Sequence, residues 1–323
     1  MSELEIRRAE STDEEEVLEL FRVALGWKAG DPNEALFAWK HRTNPFGESP
    51  AWVAVDEGRI VGYRTFLRWR FLDRADKPVR AVRAVDTVTA PEHQGRGIFR
   101  RLTLQAVAEL TLAGDRMVFN TPNDQSRPGY LKMGWTVARH LPVGLLPAGM
   151  RGVRRMVQSR VPAELWSEPT DAGLAAPETL ARPGVAEALL QHAPQRGFRT
   201  DRTSAYLTWR TALEPLHYRV LLADPADPGR GGLVFRLRRR GPALEAAVIE
   251  QLVPDRRTGV RLVARLLAET GADYAIGVRT GPSAGLIPVP VPGFGPILTT
   301  RALAGAPPAP DEWTLTLGDV ELF

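Results

Sequence analysis

The 323-residue chain contains no cysteine. That absence excludes disulfides, thiolate nucleophiles and cysteine metal ligands. Its five histidines, at 41, 93, 140, 192 and 217, show no metal-ligand spacing, so no metal is expected. No apolar run approaches the roughly 20 residues of a membrane span. The start, Met1-Ser2-Glu3-Leu4-Glu5, is acidic and lacks the apolar stretch of a secretory signal. A cytoplasmic protein with no membrane contact is the expectation. No Ser-His-Asp arrangement or paired-carboxylate spacing for hydrolysis stands out.

What is present fits a globular protein of about two domains. Apolar residues make up 44% and charged residues 25%, enough to bury a real core. The formal charge is +4 and the basicity is mostly arginine, clustered at Arg236–Arg240 and Arg151–Arg160. No stacking aromatics are interleaved with these arginines, which argues for solvated surface and against nucleic acid.

Residues 11 to 25 read as a helix, with Ser11 or Thr12 as N-cap and acids 13 to 16 in its first turn. Asp56-Glu57-Gly58 between two apolar runs signals a hairpin. A strand from Val79 to Thr89 runs through Asp86-Thr87-Val88-Thr89-Ala90 into Pro91-Glu92-His93-Gln94-Gly95-Arg96-Gly97-Ile98-Phe99. A helix over Gly97 to Ala113 and a strand at Arg116 to Phe119 follow, then Asn123 to Trp135. A strand, a glycine turn and a helix N-terminus together make an anion site, because the first helical turn offers orphan N–H groups.

The second half echoes the first. Leu36-Phe37-Ala38-Trp39-Lys40 recurs as Tyr206-Leu207-Thr208-Trp209-Arg210, and strand, helix and strand recur over Ala246 to Val278. The echo points to a tandem duplication. Its second copy carries Pro254-Asp255-Arg256-Arg257-Thr258-Gly259 in place of the glycine turn. Gly149 to Thr179 reads as an Arg/Pro/Ala-rich linker and Pro282 to Pro296 as a loop. Trp313 to Leu317 reads as a closing strand.

Over roughly residues 3 to 140 the chain resembles the GNAT family of acyl-CoA-dependent N-acyltransferases. Gln94, Gly95-Arg96, Gly97 and Ile98 match the family's pyrophosphate turn, with Phe99 where it has Gly or Ala. Asn123, Tyr130, Gly134 and Trp135 match a second family block. The resemblance implies an α/β (α+β) fold of two tandem GNAT-like lobes, each a mixed, mostly antiparallel sheet flanked by helices. The expected domains are 1–148, with the acyl-CoA site, a linker 149–179, and a degenerate lobe 180–323.

The resemblance also implies acetyl-CoA, or another short acyl-CoA, as co-substrate and a small primary amine as acceptor. Val88, Thr89 and Ala90 would meet the pantetheine arm with backbone groups. Gln94, Gly95, Arg96, Gly97, Ile98, Phe99 and Asn123 would hold the cofactor, although Asn123 could equally cap the helix running into Leu131. Arg100 and Arg101 could add charge. Tyr130 would protonate the departing thiolate, since a phenol holds its proton at neutral pH. Asp86 is the expected base, against a reading in which it pairs with Arg83 or Arg64. With no cysteine to carry an acyl group, direct attack in a ternary complex is the expected course. Two other functions fit these motifs. One is a non-catalytic acyl-CoA-binding regulator, suggested by Phe99. The other is an aminoacyl-tRNA-dependent transferase built from two GNAT-like lobes.

Overall fold

The computed structural model describes residues 4–28, 30–289 and 295–321. Met1 to Glu3 and the middle of the expected Pro282–Pro296 loop lie outside them. The chain divides into two compact units. One is Met1–Arg139 with Ile297–Pro310; the other is His140–Pro296 with Asp311–Phe323. Both are mixed α/β, a sheet flanked by helices.

In the first unit the strands are β1 (Glu5–Arg8), β2 (Ala51–Asp56), β3 (Arg59–Leu72), β4 (Pro78–Thr89), β5 (Met117–Asn120) and β6 (Thr136–His140). Their order in the sheet is β1-β2-β3-β4-β5, then the strand Ile297–Ala302, then β6. The β2–β3 turn is the expected hairpin. Glu57 and Gly58 take φ of 51° and 78°, the left-handed pair that matches strand twist. Strand β5 is antiparallel to Ile297–Ala302, from Asn120 opposite Thr299 to Met117 opposite Ala302.

Helices α1 (Glu14–Leu25) and α2 (Pro32–His41) cover one part of this sheet and α3 (Ile98–Leu112) another; α4 (Arg127–Lys132) follows β5. Helix α1 buries Val17, Leu18, Leu20 and Phe21 and ends at Gly26 in the left-handed region. Its entry differs from expectation. Ser11–Asp13 is a 3-10 turn, and the cap is a box between Glu10 and Asp13 rather than Ser11 or Thr12. Helix α3 lies so close to β3 that a Cβ on Gly62 would stand 2.6 Å from Ile98 Cγ2. Glycine is required there by the approach of the helix.

In the second unit, Ala243–Leu252 pairs parallel with Tyr274–Val278, joined by the helix Arg256–Thr270. This repeats the β4–α3–β5 crossover of the first unit, where β4 and β5 are also parallel. Val143–Pro147 pairs antiparallel with Tyr274–Val278. It therefore belongs to the second sheet, although the sequence suggested an end to the first domain at 148. Residues 149–179 are more than a linker. They contain the helix Gly149–Gln158 and the short strand Leu174–Ala175. What seats the helix is Gly152, whose added Cβ would lie 2.0 Å from the Asp273 carbonyl oxygen, and Arg155, 3.2 Å from the Asp273 carboxylate. The closing strand is only Trp313–Thr314, parallel to Phe198–Thr200.

Candidate functional site

Strand β4 is paired to β3 along its whole length, from Pro78 to Thr89. Its pairing with β5 covers only Ala81 to Arg83. Past Arg83, β4 therefore presents backbone N–H and C=O groups on its β5 side that an extended ligand can engage as an added strand would. The chain then passes through the 3-10 turn Pro91–His93 into Gly95 and Gly97, both at φ 76°. Gly97 is the N-cap of α3, and no side chain caps the helix. The first-turn N–H groups are left for an anion, which the helix dipole also favours.

A cleft of about 620 Å3 opens at this point. Of the residues expected to hold a cofactor, Val88, Thr89, Gln94, Gly95, Gly97, Ile98, Phe99 and Asn123 line it, joined by Thr87 and Arg100. Two do not. Arg96 turns to Asp56, 3.1 Å away, where His93 Nε2 also bonds. Ala90 is buried and donates its N–H to Val61 O across the sheet. Arg101 is likewise engaged, donating to Leu4 O at 2.9 Å.

Phe99 does not turn away from the cleft. Its ring stands edge-on to Tyr130, centroids 5.5 Å apart and planes at 86°, and it fills the space beside Gly129. Tyr130 packs against Trp135 on another side and is buried. Its Oη accepts a 2.7 Å hydrogen bond from Arg64 Nη2. Arg64 is wholly buried, stacks on Phe66, Phe99 and Tyr130, and forms no ion pair among the described residues. Its Nε and Nη1 have no hydrogen-bond partner. Because the phenol oxygen accepts from a cation, its own proton is left to be donated elsewhere.

Asn123 serves the chain as well as the cleft. Its Oδ1 accepts from Ser126 N and Oγ, both at 2.9 Å, and so fixes the turn into α4.

Asp86 occupies a β-bulge. Arg64 faces Thr87 and Thr65 faces Val85, so Asp86 has no opposite number and adopts φ 26°. A non-glycine residue in that region is strained. The bulge delivers its carboxylate to α2, where it meets Lys40 Nζ at 2.5 Å and His41 Nε2 at 2.8 Å. The partners weighed from the sequence, Arg83 and Arg64, are not the ones used. Burial opposes the charged form, but the Lys40 ammonium and the His41 bond prevail and hold this carboxyl well below the ordinary range. Asp86 was expected to act as the base; the structure instead commits its carboxylate to Lys40 and His41, so it does not stand free to meet an amine directly. The partner the sequence did not suggest is His41. Its sequence signal was faint: a polar pair, Lys40-His41, on the helix that buries Leu36, Phe37 and Trp39.

Residues 5–138 match the family model described as the acetyltransferase (GNAT) domain. They are a GNAT acetyltransferase domain. Solved structures of the same fold span nearly the whole chain. A GCN5-related N-acetyltransferase from Anabaena variabilis aligns with a TM-score of 0.63 and 15% identity, over 94% of this chain and 73% of that one. One from Kribbella flavida aligns with a TM-score of 0.59 and 12% identity, over 93% and 72%. At such identities the likeness is one of fold. No curated protein sequence matches the chain.

The contrast between the GNAT domain and the second unit lies at one helix start. The helix Arg256–Thr270 is capped by Asp255, whose carboxylate accepts from Thr258 N at 2.8 Å. The place that α3 leaves for an external anion is there taken by the chain's own carboxylate. Among the described residues no group of His, Asp and Glu is placed to hold a metal ion, and no helix is long and apolar enough to cross a membrane.

Proposed function

We propose that the GNAT domain moves an acetyl or other short acyl group from acyl-CoA to a primary amine, by direct attack in a ternary complex. The observation that carries this reading is the uncapped start of α3 beside the unpaired edge of β4, in one cleft. The free N–H groups suit a pyrophosphate and Arg100 adds charge at the rim. The β4 edge suits the amide-bearing pantetheine arm, running past Val88 and Thr89. Tyr130, its oxygen already accepting from Arg64, gives its proton to the departing sulfur. The chain has no cysteine to hold an acyl group, which favours direct transfer. The second unit is proposed to be a duplicated lobe without a cofactor site, because Asp255 occupies its helix start.

Calorimetry with acetyl-CoA, and release of free CoA thiol with a panel of primary amines, test this. Binding with amine-dependent thiol release supports the reading; absence of binding overturns it. A non-catalytic acyl-CoA binder is the second reading, favoured by the burial of Tyr130 at 4% exposure under the Phe99 ring. Binding without turnover on any amine would establish it.

A further inference from the structure

Next to the bulge at Asp86, the first unit has a second cavity, of about 410 Å3. Its walls come from the start of α1, from α2, and from β2 and β3, including Glu14, Phe37, Ser49, Tyr63 and His41. Asp86 lines neither space but links residues of both. Its carboxylate bonds His41, which lines this cavity, and the next residue, Thr87, lines the cofactor cleft.

His41 is 4% exposed. Its Nε2 lies 2.8 Å from Asp86 Oδ2, and its Nδ1 is buried with no partner among the described residues. A carboxylate at Nε2 fixes the proton on that nitrogen, which leaves Nδ1 as a bare acceptor. An orphaned buried acceptor is costly unless a ligand supplies the donor. Burial, the largest influence on this ring, pushes its pKa down, as do Lys40 and Arg42, against the pull of Asp86. Four carboxylates, those of Glu10, Asp13, Glu14 and Glu48, line the cavity against three arginines, Arg8, Arg42 and Arg68. Asp13 is paired with Arg7 and Glu14 with Arg42.

We propose that this cavity seats the acceptor ammonium and that His41 Nδ1, oriented by Asp86, takes its proton. The proposal rests on the acyl-transfer reading above. The ammonium gives one proton to His41, and the neutral amine forms the C–N bond to the thioester carbonyl. The C–S bond breaks, the sulfur leaves with the Tyr130 proton, and the second amine proton restores Tyr130 as the amide forms. One proton in all, from His41, returns to solvent. Asp86 and Lys40 are positioning residues. The strain at Asp86 fits a group held out of its preferred conformation to aim another.

The test pairs a nuclear measurement with kinetics. In protein labelled with 15N-histidine and saturated with CoA, His41 should show the Nε2–H tautomer, and its Nδ1 signal should move as n-butylamine is added. The Nδ1–H tautomer, or no response to the amine, would overturn the proposal whether or not the protein turns over. His41→Gln should lower kcat on the order of 100-fold or more while the acetyl-CoA Kd stays within about twofold. Asp86→Asn, which removes only the orienting carboxylate, should lose less, and its Nδ1 signal should show a mixture of tautomers. A His41→Gln variant that binds acetyl-CoA and keeps wild-type kcat overturns it. A wild type with no turnover on any amine defeats the acyl-transfer reading instead, and the His41 signals still decide whether an amine sits at Nδ1.

Discussion

Arg64 donates from Nη2 to Tyr130 Oη at 2.7 Å inside the GNAT domain, and both residues are buried. With no carboxylate bound to it among the described residues, this guanidinium meets the Tyr130 hydroxyl and the rings of Phe66, Phe99 and Tyr130 itself. A cation retained at such desolvation cost points to function rather than stability. Arg64→Met should leave Tm unchanged or raise it, and lower kcat about tenfold. Tyr130→Phe should cost on the order of 100-fold in kcat, with acetyl-CoA affinity intact. Melting curves alongside steady-state kinetics read both, and a large Tm loss in Arg64→Met would show that the pair is structural.

Gly97 caps α3 at φ 76°. An L-residue there costs about 1–3 kcal/mol of strain, and its side chain stands where the phosphates approach. Gly97→Val should therefore weaken acetyl-CoA binding at least about tenfold, measured by calorimetry, well beyond its effect on folding.

The His41–Asp86 pair sets an acid limit on stability. Asp86 has its pKa depressed in the fold, so its contribution is present above the unfolded value of about 3.9 and is lost as pH falls below it. His41 is also depressed, chiefly by burial. Below its unfolded value of about 6.5 the unfolded chain binds the extra proton, and stability falls with falling pH. The wild type should lose Tm between pH 7 and 5, and His41→Asn should flatten that slope. An unchanged slope in the variant would assign the loss to other groups.

In the second unit Arg202 lies 3.0 Å from Glu250 and 2.6 Å from Asp319, all three fully buried. Two carboxylates share one guanidinium, and Glu250 is correspondingly raised, first by burial and also by Asp319. Arg202→Met would strand both acids and should destabilise by about 3–5 kcal/mol. Urea unfolding measures it. Glu250→Gln, which relieves the surplus negative charge, should cost much less.

The cleft at the start of α3 was legible because its geometry is local. Gly95, Gly97 and Gln94 shape it through a turn, and that turn is written in consecutive residues. Arg96 and Ala90 were misplaced because their partners, Asp56 and Val61, are set by strand register. Asp86 was found but given the wrong partners, since a one-residue bulge reverses which face a strand residue meets. Lys40 and His41 lie more than forty positions away on a helix that otherwise reads as core. The unit boundaries were hidden for a similar reason: nothing in the short segments 143–147 and 297–302 says which sheet each joins, and pairing alone assigns them to different ones.

That assignment has a consequence during synthesis. The GNAT sheet needs Ile297–Ala302 between β5 and β6, and the second unit needs Asp311–Phe323. Domains ordinarily fold in turn as they leave the ribosome. Here neither unit is whole until the residues beyond 296 have been made, so the nascent first half must wait with the flank of β5 uncovered, and a chain stopped before Ile297 leaves the first sheet without its inserted strand.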